Sequence, residues 1–186
     1  MKKYADKQIV ELKDVLELRD ERNAIFHDLF QTDKNLRLIT FNLNVPGPRK
    51  TSPLLYKAYK EGQYELLTLM KTLKVKSDKI WENLDYRGYS SIYEISNKAR
   101  KLSIKRELIK FEESKKIARI WDFDLVFWGA SGPTSLSRRE IDRDPRKCLL
   151  CGADAKECAR SRRHSIDELD TKITELLEEY FCLNEN

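Results

Sequence analysis

The chain has 186 residues, enough for one domain with one hydrophobic core. Hydrophobic residues at 40% support such a core, while 36% charged residues predict elements that are half-exposed rather than deeply buried. The net charge of +5, from 36 basic and 31 acidic residues, is too small to argue for a nucleic-acid partner. No apolar run approaches the ~20 residues that span a bilayer, so no membrane role is expected.

The N-terminal MKKYADKQIVELKD lacks the apolar core of a signal peptide, and the expected location is cytoplasmic. In that compartment the four cysteines point to reduced thiols or a metal site more than to a disulfide framework. With no internal repeat and no low-complexity linker, residues 1–186 read as a single domain. Residues 145–186 form its Cys/Arg-rich segment and C-terminal helix.

Taken in chain order, residues 7–31 predict a helix with Ile9, Leu12, Leu16, Ile25 and Leu29 on its apolar side, and the RDER segment Arg19–Arg22, which interrupts that stripe, marks where a break would fall. Residues 36–45 alternate for part of their length, with Ile39, Phe41, Leu43 and Val45 on one face, and predict a strand ended by the PGP at 46–48. A second helix is expected from Ser52 to Leu73, with Leu55, Tyr59, Leu66, Leu69 and Leu73 inward. Gly62 weakens it by roughly 1 kcal/mol relative to alanine. A weak strand at Ser91–Ile95, a helix over Asn97–Ser114 and a strong strand over Ile117–Trp128 follow. The last helix is announced by Ser165 and Glu168 in a capping-box pattern, then Ile166, Leu169, Ile173, Leu176, Leu177 and Tyr180 on one face. This order predicts an α+β fold, a small mixed sheet covered by helices with a long C-terminal helix.

Two segments carry chemistry. In WDFDLVFW, a strand would project Asp122 and Asp124 from one face, where two carboxylates can share a hard divalent cation such as Mg²⁺ and hold it against phosphates. Aspartate is a poor strand former, so two of them between Trp121, Phe123 and Leu125 need a reason, although a solvated strand face would also supply one. In PRKCLLCGADAKECARSRRHS, Cys148 and Cys151 form a CxxC, Cys158 follows, and His164 comes after it. Three soft thiolates and an imidazole could complete a tetrahedral Zn²⁺ site, but the spacing matches no common zinc module, and packing of a tight loop would account for the same residues.

Basic residues gather around these segments: nine Arg/Lys against five Asp/Glu lie between Arg138 and Arg163. Arg138, Arg139, Arg146 and the loop lysine Lys50 are candidate phosphate contacts, because guanidinium forks pair with phosphate oxygens. His27, Trp81 and Cys182 read as structural. No glycine-rich phosphate loop, nucleophile elbow or HExxH occurs.

Over most of its length, from about Leu16 onward, the chain resembles the citrate lyase holo-[acyl-carrier-protein] synthase family, the apo-citrate lyase phosphoribosyl-dephospho-CoA transferases. The landmarks are RDER at 19–22, PGPRK at 46–50, RIWDFDLV at 119–126, LSRRE at 136–140 and the cysteine segment at 145–164. The resemblance implies transfer of a prosthetic group from 2'-(5-triphosphoribosyl)-3'-dephospho-CoA to a serine of the citrate lyase acyl carrier protein, the gamma subunit, with release of diphosphate. It also implies a nucleotidyltransferase-like step and fold, Mg²⁺ on Asp122 and Asp124, and phosphate contacts from Lys50, Arg138 and Arg139, joined by Arg19 and Arg22. Two competing readings are the same transfer onto another carrier, such as that of malonate decarboxylase, and a zinc-stabilised basic binding module without catalysis.

Overall fold

Alternation along three apolar strands organises the molecule. A computed structural model describes residues 9–96 and 100–184, side chains of 183 and 184 excepted. The expected helix starts at 7 and 97 lie outside the described residues. In chain order the elements are α1 (Leu12–Thr32), β1 (Arg37–Leu43), α2 (Pro53–Thr72), β2 (Ser77–Asp85), β3 (Gly88–Ile95), α3 (Lys101–Glu113), β4 (Trp121–Trp128), β5 (Pro133–Ser135), α4 (Ala155–Arg160) and α5 (Ile166–Asn184). The strands form one sheet in the order β2-β3-β1-β4-β5. The α+β class and long C-terminal helix are as expected, but every described pairing is antiparallel, so the sheet is not mixed.

One face of the sheet is mostly apolar, with Ser91 and the edge residue Glu82 as its polar members. Ile39, Phe41, Tyr89, Tyr93, Trp121, Phe123 and Leu125 pack there against α2, α3 and α5. Each such side chain contributes about 1.5–3 kcal/mol on burial, which makes this face the main source of stability. Trp121 is anchored further by Nε1–H donating to the Ala58 carbonyl across the core at 3.1 Å. The opposite face is apolar at one end only, where Leu38, Ile92 and Val126 meet Phe30 of α1. Its other end carries Asn42, Ser90, Asp122 and Asp124, brought side by side because Asn42 pairs with both Asp122 and Ser90, and Thr40 with Asp124.

Two sequence expectations about these elements need correction. RDER does not interrupt α1, which runs unbroken through it, and Leu12 and Leu16 are exposed while Leu18 and Phe30 are buried. The predicted strand at 117 begins instead with a 3-10 turn over Ile117–Ile120. The strand expected at 91–95 is present, begins earlier at Gly88, and is the second arm of a hairpin whose first arm, β2, is polar and outward-facing for most of its length. No described helix is long and apolar enough to cross a membrane.

Candidate functional site

β5 pairs only with Val126–Trp128, which leaves the backbone of the first half of β4 without a strand neighbour on that side. Charged side chains take the strand's place. Phe123 N–H donates to Glu112 Oε1 at 2.9 Å, and the Phe123 carbonyl accepts from Lys105 Nζ at 3.1 Å. The Trp121 carbonyl accepts from Arg146 Nη1 at 2.9 Å. Satisfying these groups protects an edge that would otherwise template aggregation, and it draws cations to the two aspartates. Lys105 Nζ lies 3.0 Å from Asp124 Oδ1, and Arg146 Nη2 lies 3.0 Å from Asp122 Oδ1.

The second oxygen of each aspartate accepts no hydrogen bond from a described residue. Burial, then the Asp124 carboxylate beside it, pushes Asp122 up to about 6, with Arg146 opposing. Two like charges held together on a half-buried surface are the electrostatic condition that a divalent cation relieves. Above the pair, Arg22 of α1 donates to Asn42 Oδ1, which also accepts from Ser90 Oγ at 2.6 Å. Burial lowers the Arg22 pKa while Asp122 and Asp124 raise it.

Arg22, Asn42, Lys50, Ser90 and Asp122 line a cavity of about 230 Å³. Lys50 Nζ is held by the Val45 carbonyl at 2.6 Å, and burial lowers its pKa. A larger cavity of about 740 Å³ lies beside the β4 edge, lined by Lys115, Lys116, Arg119, Arg138, Arg143 and Arg146 among others. Arg138 is tied to Glu112 at 2.6 Å and to Glu113. Arg139 is exposed and lines neither cavity, and Arg19 points outward beside Asp20 at 3.7 Å. The arginines therefore do not converge as one set.

Sequence reading missed Lys105, Glu112, Asn42 and Arg119. A signal for the first two was present: Lys105 and Glu112 fall on the stripe of α3 that buries Ile104, Leu108 and Ile109. Charged residues on a buried stripe must be paired, which marks them for attention. Asn42 gave no signal until the register placed it opposite Asp122.

The four cysteine-segment residues do come together. One ligand atom from each of Cys148, Cys151, Cys158 and His164 lies within 4.8 Å of the others, and this group could hold a metal ion such as zinc. All described cysteines are free thiols. The His164 imidazole, more than any other neighbour, pulls the Cys151 thiol down to about 6, and burial with Cys151 beside it pushes Cys158 up to about 11.

A family model described as apo-citrate lyase phosphoribosyl-dephospho-CoA transferase matches residues 10–180. The chain is 31% identical over 181 residues to a Streptococcus pyogenes serotype M1 protein named "Probable apo-citrate lyase phosphoribosyl-dephospho-CoA transferase", covering 96% of this chain and 91% of that one. A serotype M18 (strain MGAS8232) protein of the same name is 29% identical over 181 residues, with the same coverage. A protein of Escherichia coli O1:K1 / APEC, named apo-citrate lyase phosphoribosyl-dephospho-CoA transferase, is 29% identical over 187 residues, covering 98% of this chain and 97% of its own. The sheet with its paired aspartates and the cysteine segment both fall inside the matched region, and the chain belongs to the apo-citrate lyase phosphoribosyl-dephospho-CoA transferase family.

Proposed function

We propose that this chain transfers the 2'-(5-phosphoribosyl)-3'-dephospho-CoA group from 2'-(5-triphosphoribosyl)-3'-dephospho-CoA to a serine of the apo citrate lyase acyl carrier protein, its gamma subunit. It does so as one cytoplasmic transferase domain. The serine hydroxyl attacks the phosphorus next to the ribose, an O–P bond forms, the bond to the leaving diphosphate breaks, and the product is a phosphodiester. In chemical class the step is nucleotidyltransferase-like.

The single observation that carries the site assignment is the Asp122–Asp124 pair, two carboxylates crowded on one strand face with Asp122 pushed up to about 6. Their free oxygens fit a hard cation, so Asp122 and Asp124 would hold Mg²⁺, which supplies charge neutralisation for the phosphate oxygens. Arg22 and Lys50 share the adjoining cavity and bind the anionic chain of the donor. Arg146 orients Asp122 rather than serving as a free phosphate clamp, because its guanidinium already bridges Asp122 and Glu112. One carboxylate of the pair accepts the serine proton. Arg138 has the same limitation, tied to two glutamates, while Arg139 and Arg19 remain exposed contacts available to the donor or the carrier.

Intact-mass measurement tests the reading. The protein is incubated with apo carrier, donor and Mg²⁺, with Asp122→Asn and Asp124→Asn in parallel. The expected result is a phosphoribosyl-dephospho-CoA adduct on the carrier serine, with each substitution cutting the rate about 100-fold or more. An adduct formed equally fast by both variants would sink the aspartate mechanism while keeping the transfer.

A further inference from the structure

From Asp142 to Ser165 the only buried residues are Cys148 and Cys158. A segment of that length has no hydrophobic core of its own, and short core-poor units are held by a disulfide or a metal. Its backbone is nevertheless closely folded. Cys148 N–H donates to the Ala153 carbonyl at 2.7 Å, Ala155 N–H to the Arg146 carbonyl at 2.8 Å, and Gly152 turns the chain at a φ of +71. Asp154 Oδ1 accepts from Lys156 N at 2.7 Å and starts α4, which delivers Cys158. Arg163 N–H then returns to the Cys158 carbonyl at 3.1 Å, so that His164 ends beside the thiols.

The four ligand atoms fall within 4.8 Å of one another, and Cys151 Sγ lies 3.4 Å from Cys158 Sγ. A tetrahedral zinc with Zn–S bonds of about 2.3 Å has S···S edges of about 3.8 Å, so the spacing is near that of a loaded site. His164 Nε2 is buried with no hydrogen-bond partner, as expected of a nitrogen reserved for a metal. Three thiolates and an imidazole select a soft or borderline ion, and four protein ligands leave no open position for catalysis.

We propose that Cys148, Cys151, Cys158 and His164 bind one structural Zn²⁺, and that this ion fixes Arg119 and Arg146 at the edge of β4. Each thiol gives its proton to solvent as its S–Zn bond forms, and His164 binds as the neutral imidazole. The link to the edge is direct. Arg119 Nη2 donates to the Cys148 carbonyl at 2.9 Å, and Arg146 stands two residues before that cysteine while reaching Asp122. The metal assignment is independent of the reaction; the positioning of Arg146 rests on the proposed role of Asp122.

The test is metal analysis of the purified full chain, with Co²⁺ replacement followed by absorption spectroscopy. About one zinc per chain and the bands of a tetrahedral thiolate Co²⁺ centre are expected. Cys148→Ser and His164→Ala should lose the metal, whereas His164→Cys, which keeps four ligands, and Cys182→Ser should retain it. Stripping zinc should open tryptic cleavage between Arg143 and Arg163 and slow transfer about 10-fold, both reversed by zinc. Folded wild-type protein with no zinc, no cobalt spectrum and freely titrating thiols overturns the proposal, as does a Cys151–Cys158 disulfide. A zinc-loaded, trypsin-resistant protein that transfers nothing would count against the proposed function and leave the zinc site standing. Should Cys148→Ser fail to fold, the wild-type cobalt spectrum and the His164→Cys variant still decide the matter.

Discussion

Arg146 Nη2 and Asp122 Oδ1 are held 3.0 Å apart, yet Asp122 is pushed up to about 6 rather than down. An isolated arginine partner would lower a carboxylate. Here burial and the Asp124 charge outweigh it, and Arg146 divides its charge with Glu112 at 2.9 Å. The pair is therefore a site of stored repulsion, placed where a cation would be useful.

Asp122 should consequently destabilise the metal-free protein at neutral pH. Its folded pKa lies above the unfolded value of 3.8, so the folded state binds the extra proton between them. Stability falls as pH rises from 3.8 through about 6 and the penalty is complete above that. Asp122→Asn is expected to raise Tm at pH 8 and to leave it nearly unchanged at pH 4. Mg²⁺ should stabilise the wild type at pH 8 and not the variant. A thermal melt series showing equal Tm for both proteins at pH 8 would contradict the stored-repulsion account.

Glu112 should matter more to folding than any exposed acid near it. Its side chain is 4% exposed, holds Arg138 at 2.6 Å and Arg146 at 2.9 Å, and accepts the Phe123 amide. Glu112→Ala leaves two guanidinium groups and one backbone amide short of a buried partner, and the expected cost is about 3 kcal/mol. Its neighbour Glu113 is 59% exposed and shares only Arg138, so Glu113→Ala should cost under about 1 kcal/mol. Urea unfolding of the two variants checks the contrast.

Gly62 sits in the middle of α2 for a packing reason. A Cβ there would lie 2.4 Å from Phe41 Cζ and 3.0 Å from Trp121 Nε1. Alanine gains about 1 kcal/mol of helix propensity, but overpacking costs about 1–3 kcal/mol, and Phe41 is pinned by stacks on Tyr59 and Phe123. Gly62→Ala should therefore be destabilising on balance, by about 1 kcal/mol in urea denaturation, despite the better helix former.

The same glycine shows what sequence pattern could and could not reveal. Its cost to α2 was legible; the Phe41 ring that requires it was not, because that contact joins a helix to a strand. The α2 and α5 helices were readable from their apolar faces and from Ser165 and Glu168, whose carboxylate accepts the Ser165 amide at 2.7 Å. The β2 strand was not, since only Asn83 of its residues is buried and an edge strand need not alternate. The shared face of Asp122 and Asp124 followed from the two-residue period of a strand. Their partners Lys105, Arg22 and Asn42 came from three other elements, and only tertiary packing joins them. Arginine density likewise misled, because Arg138 and Arg146 are spent on Glu112.

The cations left over define where the carrier should dock. Around the larger cavity, Lys115 is paired with Glu65 and Lys116 with Glu179. Among the described residues the Arg119 guanidinium donates to the Lys147 and Cys148 carbonyls and forms no ion pair, and the Arg143 and Lys147 side chains form none either. That excess of positive charge, beside the β4 edge that carries Asp122, suits an acidic carrier approaching with its serine. Charge reversal by Arg143→Glu with Lys147→Glu should lower kcat/KM for the carrier about 10-fold at low salt, with the deficit shrinking as salt screens the surface. The KM for the donor should stay within about twofold, because Arg22 and Lys50 lie in the other cavity. If the double variant instead raises the donor KM and spares the carrier, the two cavities have been assigned the wrong way round.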